Sequence, residues 1–125
     1  MRRAALLLAL ALPAAGVAGA AGPTGPPPGR YQASLCVATS PAAAPNCGDA
    51  LLEIGADARL RVSVADIVYR LHLRPRQLDV ATMHGAVQID AFSAAYAWSD
   101  GVLRFVDADK AVRYEVRSGE RLGAR

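Results

Sequence analysis

The sequence predicts an all-β domain, a small antiparallel up-and-down barrel or sandwich of seven or eight short strands preceded by a signal peptide. Three observations carry this reading. From Arg30 onward apolar residues recur with period two, which sets them on one face of extended strands. Turn-forming dipeptides punctuate the alternation, and Asp100-Gly101 is the strongest hairpin signal among them. Downstream of the leader no segment carries a helical stripe. Short loops between neighbouring strands favour the barrel over a sandwich with long crossovers.

The leader is MRRAALLLALALPAAGVAGAA. Arg2 and Arg3 form a positive n-region, Ala4 to Leu12 form an apolar run, and Pro13 ends it. Ala18 and Ala20, or Gly19 and Ala21, give the small-x-small pattern of a cleavage site, so residues 1–21 are read as a signal peptide. The apolar run is well short of the roughly 20 residues that span a bilayer, and no membrane span is expected after cleavage. The expected location is therefore periplasmic or secreted. Residues 22–29, GPTGPPPG, can build neither helix nor ladder and read as an extended linker. The β-domain is expected over 30–118, with a C-terminal tail over 119–125.

A chain of 125 residues, less its leader, holds one domain with one modest core. Loss of Arg2 and Arg3 with the leader reduces the net charge from +3 to +1, so bulk charge makes no case for nucleic acid. Lys110 is the only lysine, and this arginine bias reads as the mark of a GC-rich bacterial genome. Cys36 and Cys47 are the only cysteines. In an exported chain such a pair closes into a disulfide, worth about 3 kcal/mol for a loop of this size.

Taken in order, Tyr31, Ala33, Leu35 and Val37 share one face of a first strand, and Leu52 and Ile54 follow on a second after a turn at Cys47-Gly48. Leu60, Val62 and Val64 lie on even positions, whereas Ile67, Tyr69, Leu71 and Leu73 lie on odd ones. A two-residue hairpin at Ala65-Asp66 explains the change by pairing Val64 with Ile67, Val62 with Tyr69 and Leu60 with Leu71; a bulge in one long strand would also change parity. Leu78 and Val80, then Val87 and Ile89, suggest two more strands joined at His84-Gly85. The Asp100-Gly101 loop sets Trp98 against Leu103 and Tyr96 against Phe105. A turn at Asp107 to Lys110 then sets Phe105 against Val112, Leu103 against Tyr114 and Arg104 against Arg113.

Catalytic and metal chemistry find little purchase. His72 and His84 are the only histidines, too few with scattered aspartates to assemble a zinc site. Asp107-Ala108-Asp109 lacks the glycine and bidentate glutamate of a calcium loop. No G-x-S-x-G elbow is present. The sequence thus points away from an enzyme, a metal site or a cofactor. Two surface features remain. Arg61 opposite Arg70, Arg59 opposite His72, and Arg74 beyond them make a candidate basic binding face, suited to an anionic envelope component or an acidic protein. Trp98, beside the Asp100-Gly101 turn, is a candidate aromatic rim of a barrel mouth.

In size and class the plan is similar to the small periplasmic barrel inhibitors of lysozyme. Their Ser-Gly-x-x-Tyr loop is not matched, since Ser118-Gly119-Glu120-Arg121-Leu122 lacks the tyrosine, so the similarity carries no residue across. The functional expectation is a non-enzymatic binding or interaction module, with a small-ligand carrier or an envelope hydrolase inhibitor as alternatives.

Overall fold

The computed structural model describes residues 25–40 and 42–123, so the leader and positions 22–24 of the linker lie outside the described residues. The described residues form nine strands and no helix: β1 (Gly29–Ala38), β2 (Asn46–Ile54), β3 (Arg59–Val64), β4 (Ile67–Leu73), β5 (Leu78–His84), β6 (Val87–Ala94), β7 (Tyr96–Ser99), β8 (Val102–Asp107) and β9 (Val112–Leu122). They make one antiparallel sheet in the order β6-β5-β4-β3-β2-β1-β9-β8-β7, a nearly closed barrel in which the first strand pairs with the last.

Nine strands replace the expected seven or eight. β6 and β7 are separated by Ala95 alone, and Phe92, Ala94, Tyr96 and Trp98 alternate inward straight through it. The two are one pass of the chain that changes partner, pairing with β5 as far as Ala94 and with β8 from Tyr96. Period-two patterning reports which side a residue faces, not which neighbour its backbone bonds.

The hairpin expected at Ala65-Asp66 forms in the expected register, with Ala65 at φ 53°. Asp100 and Gly101 both take positive φ, 54° and 75°, as a type I′ turn requires, and Trp98 faces Leu103. The β8–β9 connection departs from expectation by two residues. Asp107 pairs with Val112, Phe105 with Tyr114 and Leu103 with Val116, because Asp107 stays in the strand and the loop runs over 108–111, ending with Ala111 at φ 56°. An even shift leaves every side chain on its own face, so parity could not detect it. It also separates Arg104 from Arg113: Arg104 lies opposite Glu115 instead. Cys47 and Gly48 are likewise strand rather than turn, and Cys47 sits directly across from Cys36, to which it is disulfide-bonded.

Core side chains come from every strand. Leu52, Val62, Leu78 and Leu103 are fully buried, with Tyr31, Leu35, Leu60, Leu71, Val80 and Val116 around them. Phe105 stacks on Tyr114 at 4.9 Å between ring centroids, Phe92 meets both, at 5.8 Å from Tyr114 and 6.2 Å from Phe105, and Tyr69 meets Tyr114 edge-on at 6.0 Å. Val87 and Ile89, expected as strand residues of the apolar pattern, are instead 62% and 56% exposed on the free edge of β6, where a bulge interrupts pairing with β5.

The ends of the domain are tied down. β9 continues through Leu122, so 119–122, read from the sequence as tail, are strand. The described part of the Pro/Gly tract lies against the barrel: a side chain at Gly25 would overlap the Trp98 ring, the Tyr31 hydroxyl donates to the Pro27 carbonyl at 2.6 Å, and Arg121 donates to the Pro28 carbonyl at 2.7 Å.

Gly101→Val tests the turn that aligns β7, β8 and β9. The backbone φ of 75° is poorly tolerated by a β-branched residue, and an added Cβ would meet the Ser118 hydroxyl oxygen at 3.1 Å, the group that itself donates to the Gly101 carbonyl at 2.9 Å. The expected loss is about 1–3 kcal/mol, read as a lower chemical-denaturation midpoint.

Candidate functional site

Cross-strand register arranges the outward side chains of β3 to β6 in rows. Arg59, His72, Asp79 and Ser93 are successive neighbours in one row; Arg61, Arg70, Ala81 and Ala91 make the next. Side chains shrink from arginine on β3 and β4 to alanine and serine on β5 and β6. The result is an outer groove of about 710 Å³ lined by both rows. The structure therefore brings Arg59, Arg61, Arg70 and His72 together, as four members of the basic face read from the sequence.

Their electrostatic partners differ. Glu53 lies 3.6 Å from Arg30 and 4.0 Å from Arg61, and Asp57 lies 3.1 Å from Arg59. These pairs are exposed, and such contacts contribute about 0–1 kcal/mol each. Arg70 stands directly opposite Arg61 and has no carboxylate partner among the described residues. Arg74, the fifth predicted member, has a structural role: its Nε donates to Asp79 at 2.7 Å, and its carbonyl accepts from the Tyr96 hydroxyl at 2.8 Å. Hydrogen bonds from Arg74 and then Ser93 hold the Asp79 carboxyl below its ordinary range.

Ser93, Asp79 and His72 share a row, yet they are not arranged as a nucleophile and base. The Ser93 hydroxyl donates to the carboxylate itself, at 2.7 Å, and that carboxylate is held ionised as a weak base. Among the described residues no three His, Cys, Asp or Glu side chains are grouped to hold a metal ion. The groove presents guanidinium groups, one carboxylate and one hydroxyl.

A second outer groove, of about 670 Å³, lies across the β6–β7 pass and meets the first at Ser93. Its walls include Arg104 and Arg113, along with Ala97, Val106 and Ala108. Arg104 bonds Glu115 at 2.9 Å and, as the main cause, draws that carboxyl below its ordinary value. Among the described residues Arg113 reaches only the Ser40 carbonyl, at 3.5 Å. Trp98 is at a barrel end, but it is only 9% exposed beneath Gly25, so it forms part of a covered end and not an open rim.

Sequence reasoning missed the polar group inside the opposite end. Asp107 is 1% exposed, and Lys110 extends from the following turn to lie 3.5 Å from it and 3.0 Å from Asp90. This bridge spans the place where β6 and β8 face each other without strand pairing. The sequence places Asp107 at the start of a turn, although its odd position in line with Leu103 and Phe105 already sets it on the inward face. Burial is the main cause that raises the Tyr114 hydroxyl nearby to about 12, with Tyr69 and the Asp107 and Asp90 carboxylates adding to it.

With this geometry in hand, comparison with protein-family models, with curated proteins and with solved structures finds no match to the chain.

Lys110→Met tests the bridge. Hydrogen bonding to Lys110 lowers the Asp90 pKa, and the same contact raises that of Lys110. A lowered carboxyl pKa stabilises the fold above its unfolded value, about 4, and loses that contribution as pH falls through the folded pKa; a raised lysine pKa stabilises below about 10.4 and loses it as pH rises through the folded pKa. The variant should melt several degrees lower at pH 7, with weaker pH dependence on both the acid and the alkaline side. A melting curve like that of the unmodified protein at pH 7 would leave the seam to the aromatic stack alone.

Proposed function

We propose that this chain is an exported, non-enzymatic binding module that recognises an anionic envelope partner through the basic outer face of β3 and β4. The observation that carries this reading is Arg70, an exposed arginine set opposite Arg61 with no carboxylate to neutralise it among the described residues. Like charges directly opposed on neighbouring strands cost about 0.2–1 kcal/mol, so the pair does nothing for folding. A bound anion would turn that repulsion into attraction.

Export rests on the leader pattern of residues 1–21 and is compatible with the Cys36–Cys47 disulfide, which persists in oxidising compartments. The carrier alternative needs interior space, and Phe92, Phe105, Tyr114 and Tyr69 pack against one another where a carried ligand would sit. The large grooves lie on the outer faces, which supports surface recognition.

Arg61→Gln/Arg70→Gln should leave the melting temperature unchanged or slightly raised through relief of repulsion. Capture of anionic material from an envelope extract should weaken, and the difference should shrink as salt is added, because exposed charges are screened over about 8 Å at physiological ionic strength. Unchanged capture by the double variant would overturn the reading.

A further inference from the structure

We propose that the two outer grooves form one continuous track for an acidic polysaccharide, which crosses the β6–β7 pass at Ser93 and is held by Arg70 on one side and Arg113 on the other. This inference rests on the proposed basic-face recognition and names the class of partner.

Size comes first. Grooves of about 710 and 670 Å³ that share Ser93 exceed what a single phosphate or carboxylate occupies. They suit a chain of several units. Between them the outward residues of the pass are Ala91, Ser93, Ala95 and Ala97, with no bulky side chain to bar the crossing. Each groove also keeps one arginine without a carboxylate partner among the described residues, Arg70 and Arg113. Widely spaced charges of this kind match a polymer that carries one anion per repeat.

The second argument concerns Asp79. A purely anionic ligand, such as polyphosphate, gains nothing from a carboxylate beside its path. Asp79 is nonetheless held ionised at the crossing, with Ser93 donating to it at 2.7 Å. An ionised carboxylate only accepts hydrogen bonds, and sugar hydroxyls donate them. Arginine for the anion and aspartate for the hydroxyl together describe a charged polyol. The grooved surface also favours a chain over a flat anionic membrane, which would touch only the rims.

The test is titration calorimetry of the exported protein with four probes: oligogalacturonates of increasing length, neutral dextran, inorganic polyphosphate and poly-L-glutamate. Oligogalacturonate should bind best, and its affinity should climb with length and then level off once both grooves are filled. Arg113→Gln should weaken long oligomers about tenfold and short ones little, while Arg70→Gln weakens both. Asp79→Asn should lower oligogalacturonate affinity, whereas a purely electrostatic site would bind more tightly after loss of that negative charge. Circular dichroism of each variant reports folding, and length dependence in the unmodified protein stands without any variant. Preferred binding of polyphosphate or poly-L-glutamate, equal binding of dextran, or affinity independent of length would overturn the polysaccharide track. The first result would leave the basic face standing, and failure of all anionic probes would remove both.

Discussion

An up-and-down antiparallel sheet can close on itself only with an even number of chain passes, because its first and last strands must also run in opposite directions. Nine strands are an odd number. They satisfy the rule because β6 and β7 are a single pass that leaves β5 and joins β8 at Ala95. Much else follows from that exchange. On either side of it one edge goes without a strand partner. Lys110 spans one gap between Asp90 and Asp107; Tyr96 spans the other by donating to the Arg74 carbonyl. Phe92 completes the seam from inside by packing on Phe105 and Tyr114.

The same exchange shapes the surface. From Ala91 to Ala97 the outward positions of the pass hold only alanine and serine, while the strands to either side carry arginine, and two grooves result. Magnitudes explain why the barrel tolerates opposed cations there. Each large apolar side chain buried within contributes about 1.5–3 kcal/mol, while an opposed pair such as Arg61 and Arg70 costs at most about 1 kcal/mol. The interior fixes the fold, and the outer face is left free to be selected for other properties.

Much of this architecture was legible in the sequence, for physical reasons that can be stated residue by residue. Ala65-Asp66 was found because a two-residue loop must restore a common face after a parity change, and Asp100-Gly101 because adjacent positive φ values favour those residues. What was lost has one shared cause. Periodicity fixes the face of a residue and is blind to even shifts and to changes of partner, so the β8–β9 register, the Arg104–Glu115 contact and the switch at Ala95 were all hidden. The members of the basic face were legible because Arg59, Arg61, Arg70 and His72 follow directly from a correct hairpin. The meeting of the two grooves at Ser93 was not, since it depends on which strands meet around a ring.

The pairing of β1 with β9 also bears on how the molecule is made. Every other neighbouring pair in the ring lies close in sequence, so its hairpins can form as the chain lengthens. β1 leaves the ribosome first among the strands, and its partner on one side, Val112–Leu122, leaves last. A growing chain therefore holds an open sheet with two sticky edges until Val112–Leu122 has emerged. Loss of Val112–Leu122 would deprive β1 of its neighbour on that side, a greater harm than trimming an equal length from a segment that pairs with nothing.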